Sequence, residues 1–572
     1  MRWPRSVVVF SLVTSWLLLS TAVSCKTEPT SSSSLPIVGT PWFEDVTVRV
    51  GLEFVHDPGP VGTYFFPQIM GSGGAVLDFD NDGRLDLLLL HNAGPQSASR
   101  FQLFRQNEEG RFVDVSAGSG LDVTGYGMGV AVGDVNNDGR VDVCITEYGR
   151  TRLFLNLGSG RFQEITESAG IDNPLWGTSA AFVDYNRDGW LDLVVGNFVL
   201  YDRSVQCRSP RGRLAFCHPS TFPGSVAKLF RNRGVDASGQ VAFEDVTVTS
   251  GLAKAPGPAL GVLCADFDGD SWVDIFIAND SKPNHLWINR RDGTFSEEAV
   301  PRGVAVNRMG QTEANMGIGI GDVDGDGLFD LFVTHLTEET HTLWKQGPRG
   351  LFQDRTVSAG FAAPLWRGTG FGTVLADFDH DGALDAAVVN GRVSEPRTAF
   401  GPETESDFWA VYKERNQMFR NDGSGRFQDV SLANPAFCDV PGVYRGLICA
   451  DLDNDGALDL ITTCIGGPVR VYRNTAPSRG HWLGVRAYDP KLRRDALGAE
   501  IVLEVNGRPM KRWANPAYSY LCSNDPRAHF GLGSVDRVER ILVVWPDGTQ
   551  EFFPCGLVNR YVELRKGEGQ PP

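Results

Sequence analysis

The stretch Gly321-Asp322-Val323-Asp324-Gly325-Asp326-Gly327-Leu328-Phe329-Asp330-Leu331-Phe332-Val333 decides the fold. Carboxylates stand at the first, third, fifth and ninth places of a nine-residue loop, glycine stands at the sixth, and an apolar β-type run follows. Acids two residues apart in a tight loop point inward together, and their repulsion opens the loop unless a hard cation is held between them. All-oxygen ligands favour calcium. Side chains would come from places one, three, five and nine and a backbone carbonyl from place seven, while the glycine allows the sharp turn. An EF-hand begins in the same way but ends on Glu at place twelve between helices; here the flanks are strands.

The pattern is repeated seven times. The copies are Asp78, Asp80, Asp82 and Asp86; Asp134, Asn136, Asp138 and Asp142; Asp184, Asn186, Asp188 and Asp192; Asp266, Asp268, Asp270 and Asp274; Asp322, Asp324, Asp326 and Asp330; Asp377, Asp379, Asp381 and Asp385; and Asp451, Asp453, Asp455 and Asp459. Asn136, Asn186 and Ser271, which replaces the glycine of the fourth copy, weaken the expectation of metal in loops two to four. A metal-free Asp-rich turn is the competing reading.

A Gly-rich run precedes each loop, as in Gly127-Met128-Gly129-Val130, and a hairpin of constant style follows, as in Leu153-Phe154-Leu155-Asn156 and Gly160-Arg161-Phe162. Four strands in a repeat of about 50 to 55 residues, with small residues on the strand before the loop, predict an all-β, seven-bladed β-propeller with calcium loops. Two longer intervals, Asp184 to Asp266 and Asp377 to Asp451, hold one outer hairpin each and read as insertions. Trp42-Phe43-Glu44-Asp45-Val46-Thr47 has the style of a last strand yet precedes the first loop, whereas the seventh repeat ends after Val471-Tyr472-Arg473-Asn474. The N-terminal strand is therefore expected to complete the seventh blade and remove the open edges.

The first 24 residues have Arg2 and Arg5 before an apolar run, Val7 to Leu19, and small residues to Ser24; this predicts a signal peptide, the run being too short to span a bilayer. Cys25 after Ala22-Val23-Ser24 resembles a lipobox cysteine, although the same residues suit ordinary signal peptidase. Residues 25–40 then form a Ser-rich tether, 41–477 the propeller and 478–567 a small β-domain. A net charge of −17 argues against nucleic acid or anionic lipid as partner. Ten cysteines in an exported chain permit disulfides: Cys207 with Cys217 is the first pairing expected, Cys522 with Cys555 the second. Cys144, Cys264 and Cys449 read as buried hydrophobes.

The loops resemble FG-GAP/VCBS repeats, also found in integrin α-chain propellers. His481-Trp482-Leu483, Arg494-Asp495-Ala496-Leu497-Gly498-Ala499, His529-Phe530-Gly531-Leu532-Gly533 and Trp545-Pro546-Asp547-Gly548 resemble the ASPIC/UnbV domain, and the two together resemble the cartilage acidic protein family. The resemblance implies calcium binding, an extracellular place and adhesion or matrix contact. Apart from it, the apolar-polar alternation around Ile501-Val502-Leu503 and Ile541-Leu542-Val543 predicts a compact β-domain.

No nucleophile elbow, phosphate loop or His-Glu-x-x-His occurs. His335, Glu338, Glu339 and His341 form the most suggestive other cluster, with a structural hydrogen bond the blander reading. The expectation is a binding or adhesion protein of the cell surface, not an enzyme. Its partner is an extracellular protein or glycan, and it meets membrane only through a lipid on Cys25. The alternative is a calcium-dependent hydrolase or lyase with its site at the propeller axis. The recognition surface is expected on the face opposite the loops, from Tyr126, Glu147, Trp176, Asn279, Asn315, His335, Arg367, Asn390, Tyr444 and Arg445, with strand-end capping as the competing role.

Overall fold

Seven four-stranded antiparallel sheets, each with one Asp-rich loop joining its two innermost strands, make up residues 43–474 of the computed structural model. The structure describes residues 39–395, 408–477 and 479–572; the signal segment, most of the tether and Cys25 lie outside the described residues. Innermost strands such as Gly127–Gly133 and Gly177–Val183 are buried at every residue, because both faces meet neighbouring blades. They touch in succession around the ring, the last against the first. Glycine makes this approach possible at Gly317, where a Cβ would overlap the carbonyl of Phe371 in the next blade. Outer strands such as Val241–Asp245 alternate, one face buried and one in water.

The seventh blade takes its outermost strand from the N-terminal side, with Phe43 opposite Asn474 and Asp45 opposite Tyr472. Ring closure is thus as the sequence predicts. The insertion in the third blade lies between Asp192–Asn197 and Lys228–Val235 and carries the expected disulfide, Cys207 to Cys217, with Cα atoms 5.1 Å apart. The second expected pairing does not form. Cys522 is buried between innermost strands while Cys555 sits on Gln550–Leu557 in an outlying sheet, and both are free thiols. Cys144, Cys264 and Cys449 are buried and free. Among the described residues no helix is long and apolar enough to cross a membrane.

The C-terminal domain has two sheets. His481–Asp489 pairs with Arg494–Asp495, Ala528–Gly533 and, in parallel, Arg560–Arg565. Arg508–Ala514, Ala499–Val505, Arg537–Val544 and Gln550–Leu557 form the second. Leu483, Val485, Ile501, Phe530, Ile541 and Trp545 are buried among the residues that join them. A bridge from Phe552 to Gln570 carries the domain beyond residue 567.

One feature of this domain has no counterpart in the sequence reading. The segment between Ala514 and Ala528 leaves the second sheet and enters the propeller axis. Ser519 exchanges backbone hydrogen bonds with Ile318, at 3.1 and 2.8 Å, and Ser523 does so with Gly74 and Val76, at 3.0 and 3.1 Å. Val130 donates to the Leu521 carbonyl, Thr373 to Ser519 Oγ and Cys449 to Asn524 Oδ1, while Leu521 donates to Ser179 Oγ. Six of the seven blades are thereby bonded to the segment; the fourth meets it through Ala517, packed with Val262. Innermost strands are sheet edges with unpaired backbone groups, and a plug that pairs them satisfies donors that a closed channel would otherwise leave unmatched.

Candidate metal centres in the blade loops

Three carboxyl positions of each loop are fixed by backbone amides. The first aspartate accepts from the amides of places five and six: Asp78 from Asp82 and Gly83, at 3.0 and 2.9 Å, and Asp451 from Asp455 and Gly456, at 3.1 and 2.7 Å. The fifth accepts from the amide of place seven, as Asp326 does from Leu328 at 2.9 Å. The ninth is buried and accepts twice, from place two of its own loop and from the third strand of its blade. For Asp142 these donors are Val135 and Asn156, for Asp330 Val323 and Gln346, and for Asp459 Leu452 and Asn474. The same pair of bonds is made by Asp86, Asp192, Asp274 and Asp385.

With the backbone so arranged, side-chain oxygens of places one, three and nine converge to within 4.8 Å in four loops: Asp78, Asp80 and Asp86; Asp266, Asp268 and Asp274; Asp322, Asp324 and Asp330; Asp377, Asp379 and Asp385. In the seventh loop it is Asp451, Asp453 and Asp455 that converge, while Asp459 keeps its two amides. These five clusters can hold a metal ion. Loops two and three bring together two aspartates and an asparagine instead, and Asn136 and Asn186 turn their amide nitrogens to Asp138 and Asp188. Ser271 does not disturb loop four: at φ 70° it takes the conformation that glycine takes elsewhere and donates its amide to Asp266.

The donor set suits a hard cation for a reason beyond proximity. One oxygen of Asp80, of Asp268 and of Asp324 is buried with no hydrogen-bond partner, and all three are the third residue of their loops. A buried carboxylate oxygen without a donor is costly, and a cation satisfies it. Burial pushes Asp86, Asp274 and Asp330 up to about 8 and Asp134, Asp184, Asp266 and Asp451 up to about 6, outweighing their amide bonds.

The fifth aspartate is the main departure from the expected ligand set. In every loop its outer oxygen is held by a basic residue: Asp82 by Arg84 and Arg105, Asp138 by Arg140, Asp188 by Arg231, Asp270 by Arg291, Asp326 by Lys345, Asp381 by Arg420 and Asp455 by Arg473. Some of these bases also hold the outer oxygen of the third aspartate, as Arg105 does that of Asp80 at 2.7 Å and Arg420 that of Asp379 at 3.0 Å. Several of these bases stand immediately before the Asn or Gln of the third strand, in Leu103-Phe104-Arg105-Gln106 or Met418-Phe419-Arg420-Asn421.

Two further kinds of residue bind the loops into a ring. The Asn of the third strand reaches the loop of another blade: Asn156 Nδ2 donates to Phe79, Asn232 to Val135, Asn289 to Tyr185, Asn421 to Val323 and Asn474 to Phe378. The fourth loop residue reaches the sixth-place carbonyl of the next loop, Asn81 to Gly139, Asn137 to Gly189 and Asn454 to Gly83. These asparagines have φ of 57° to 58°, the left-handed region that asparagine tolerates. Their recurrence at place four was the signal in the sequence.

The C-terminal domain sits on this loop side. Arg494, buried, bonds Asn137 Oδ1 at 2.8 Å and the Gly189 carbonyl at 3.2 Å, and its charge opposes the burial of Asp134 and Asp184. Arg512 does the same for Asp322 and Asp377. Tyr561 donates its hydroxyl to Asp451 at 2.7 Å.

Residues 78–145, 134–195, 266–333 and 405–462 match the FG-GAP-like repeat, and residues 489–571 match the family described as ASPIC and UnbV. The chain thus resembles FG-GAP-like repeat proteins over part of its blades and the ASPIC and UnbV family over its C-terminal domain. It is 28% identical to human Cartilage acidic protein 1 over 362 residues, spanning 60% of this chain but half the length of that relative. To the Xenopus tropicalis protein of the same name it is 24% identical over 504 residues, covering 84% of this chain and 71% of that one. An Agrocybe aegerita lectin, solved for recognition of non-reducing terminal N-acetylglucosamine, aligns over 70% of this chain and 94% of its own at 15% identity and a TM-score of 0.40, too loose a likeness to carry an argument.

On the far side of the blades the expected recognition ring is corrected. Glu147, Trp176, Asn279, Asn315, His335, Asn390, Tyr444 and Arg445 are buried; Tyr126 is half-buried and Arg367 alone is exposed. Their polar groups cap strand ends and loops, since backbone groups leaving a sheet need partners. Asn279 donates to the Pro283 carbonyl, Asn315 to that of Asn279 and Asn390 to that of Arg415. Arg445 donates to the carbonyls of Ile69, Gly391 and Arg392 and lies 3.8 Å over Phe371. Of the His335 cluster, His335 Nδ1 faces the Ala314 carbonyl, His341 Nδ1 accepts from the His335 amide and Glu339 accepts from Ala314 and Leu336. These are loop-fixing bonds. The axis, where an enzymatic site was the alternative, is filled by Tyr520 and Leu521, packed with Phe66, Met70 and Trp176.

Proposed function

We propose that this chain is an exported, calcium-loaded β-propeller that presents a binding surface to an extracellular protein or glycan and catalyses nothing. The observation that carries the calcium reading is the unpartnered buried oxygen at the same place of loops one, four and five. Calcium takes six to eight oxygen ligands in flexible geometry and suits such carboxylate loops better than magnesium, which keeps its waters. Export is supported by the disulfide of the third-blade insertion and by the leader's composition, and an acyl chain on Cys25 would supply the membrane affinity that the tether lacks.

The surface favoured for the partner is the face opposite the loops, now assigned to other residues. Tyr64, Phe65, Tyr148, Tyr201, Phe216 and Trp409 are half-buried there, with rings meeting at 5.2 to 6.1 Å. Aromatic side chains left partly open beside polar loops are what partner sites use. The test is binding of the full chain to glycan and protein arrays in calcium and in chelator, beside a hydrolase panel in both. Calcium-dependent capture that Tyr148→Ala and Trp409→Ala weaken supports the reading, and turnover in the panel without such capture overturns it.

A further inference from the structure

A cleft of about 410 Å³ lies where the C-terminal domain meets loops one and two, within the size range of small-ligand sites. Five arginines line it: Arg140 from the propeller, and Arg486, Arg493, Arg494 and Arg565 from the C-terminal domain. Four carboxylates also line it, Asp78, Asp134, Asp495 and Glu563. The two groups are not equivalent. Asp78 is the first residue of loop one, where a held cation would neutralise it, a step that rests on the calcium reading above; Asp134, the first residue of loop two, faces the charge of Arg494 instead. Asp495 and Glu563 are committed to Arg486, at 2.6 and 3.1 Å, and Glu563 also to Arg565 at 3.1 Å.

The arginines differ in the same way. Arg140 is held by Asp138 and by the Asn156 carbonyl, and Arg494 by Asn137 and Gly189. Arg493 is exposed and makes no hydrogen bond or ion pair among the described residues, and it stands at φ 56°, where a residue other than glycine is strained. Arg565 is fixed over Tyr488 at 5.0 Å with Arg486 at 5.2 Å from the same ring, so the aromatic side chain orients both guanidiniums beside the cleft. A concave site with an excess of arginine, one of them unpaired, fits a planar or tetrahedral oxyanion through paired N–H donors.

We propose that this cleft binds a small acidic ligand, a carboxylate- or sulfate-bearing sugar unit, with Arg493 and Arg565 as its principal contacts. The cleft's polar and open lining suits a hydroxylated ligand better than an apolar one.

Titration calorimetry of the full chain in calcium, with glucuronate, inorganic sulfate and glucose as probes, tests this. Glucuronate or sulfate is expected to bind and glucose not, which of the two binds telling carboxylate from sulfate recognition. Arg493→Ala and Arg565→Ala are each expected to weaken binding at least tenfold with an unchanged melting temperature. No anion binding by wild type, or equal binding by the double variant, overturns the proposal. Metal analysis of the same sample separates the two readings: metal without anion binding sinks the cleft alone, and arginine-dependent anion binding without metal sinks the calcium clause alone.

Discussion

The amide of Val130 donates to the carbonyl oxygen of Leu521 at 3.2 Å, and by this bond a residue of the C-terminal domain becomes part of the innermost layer of the second blade. Leu521 is 1% exposed, at φ 58°, and its own amide donates to Ser179 Oγ of the third blade. Joined in this way, the domain and the ring should unfold as one cooperative unit. Leu521→Ala should destabilise the whole chain by about 2 to 5 kcal/mol, the range for truncating a large buried aliphatic residue. Chemical denaturation followed by both domain and blade signals checks it; a single transition at lower denaturant is expected, and a change confined to one of two transitions would show the two parts to be independent.

The effect of replacing Asp80 should depend on metal and that of replacing Asp142 should not. Asp80 has one oxygen without a donor and the other on Arg105 at 2.7 Å, so Asp80→Asn should lower the melting temperature in calcium and change it little in chelator, where the lost ion pair offsets the removed repulsion between carboxylates. Asp142 accepts from two buried amides in a loop whose third residue is asparagine, so Asp142→Ala should cost about 1 to 3 kcal/mol per orphaned amide with or without calcium. Thermal melts of both variants in the two buffers decide, and the same response from both would refute the division of roles.

The blades were legible in the sequence because the chemistry of the loop forces its spacing: the sixth-place glycine, the acids at one, three and nine and the apolar strands recur together. Ring closure was legible from Phe43-Glu44-Asp45, a strand lacking its blade. The axial plug was not. Ala517 to Asn524 has no periodicity that separates a loop in solvent from one bonded to six blades, since most of its bonds are made by backbone atoms. Nor could Arg445 or Trp176 be told from recognition residues. A polar residue at a strand end reads alike whether it faces water or a covering loop, and here Phe66–Met70 and the two insertions supply the cover. The bases that occupy the fifth aspartate were visible as Arg105 and Arg420, but pairing across strands had to be seen.

Cys207 and Cys217 should be recovered as one cross-linked peptide from non-reduced digests, with Cys522 and Cys555 both alkylated as free thiols after unfolding. Closing so short a loop stabilises the insertion by about 2.7 kcal/mol in the chain-entropy account. Reduction should therefore increase proteolysis between residues 199 and 227 while the blades persist. Two free thiols in the insertion, in protein from an oxidising compartment, would contradict this.

The central claim is that the loops hold calcium as part of the fold, and metal analysis of the full chain, equilibrated in calcium and then melted with and without chelator, tests it most directly. The account predicts at least five calcium ions per chain, one for each cluster of three carboxylates, and a lower melting temperature after removal. Each site would contribute about 1.4 kcal/mol when calcium is in tenfold excess of its Kd. A chain that carries no calcium after equilibration, or that melts unchanged once its calcium is gone, would contradict it.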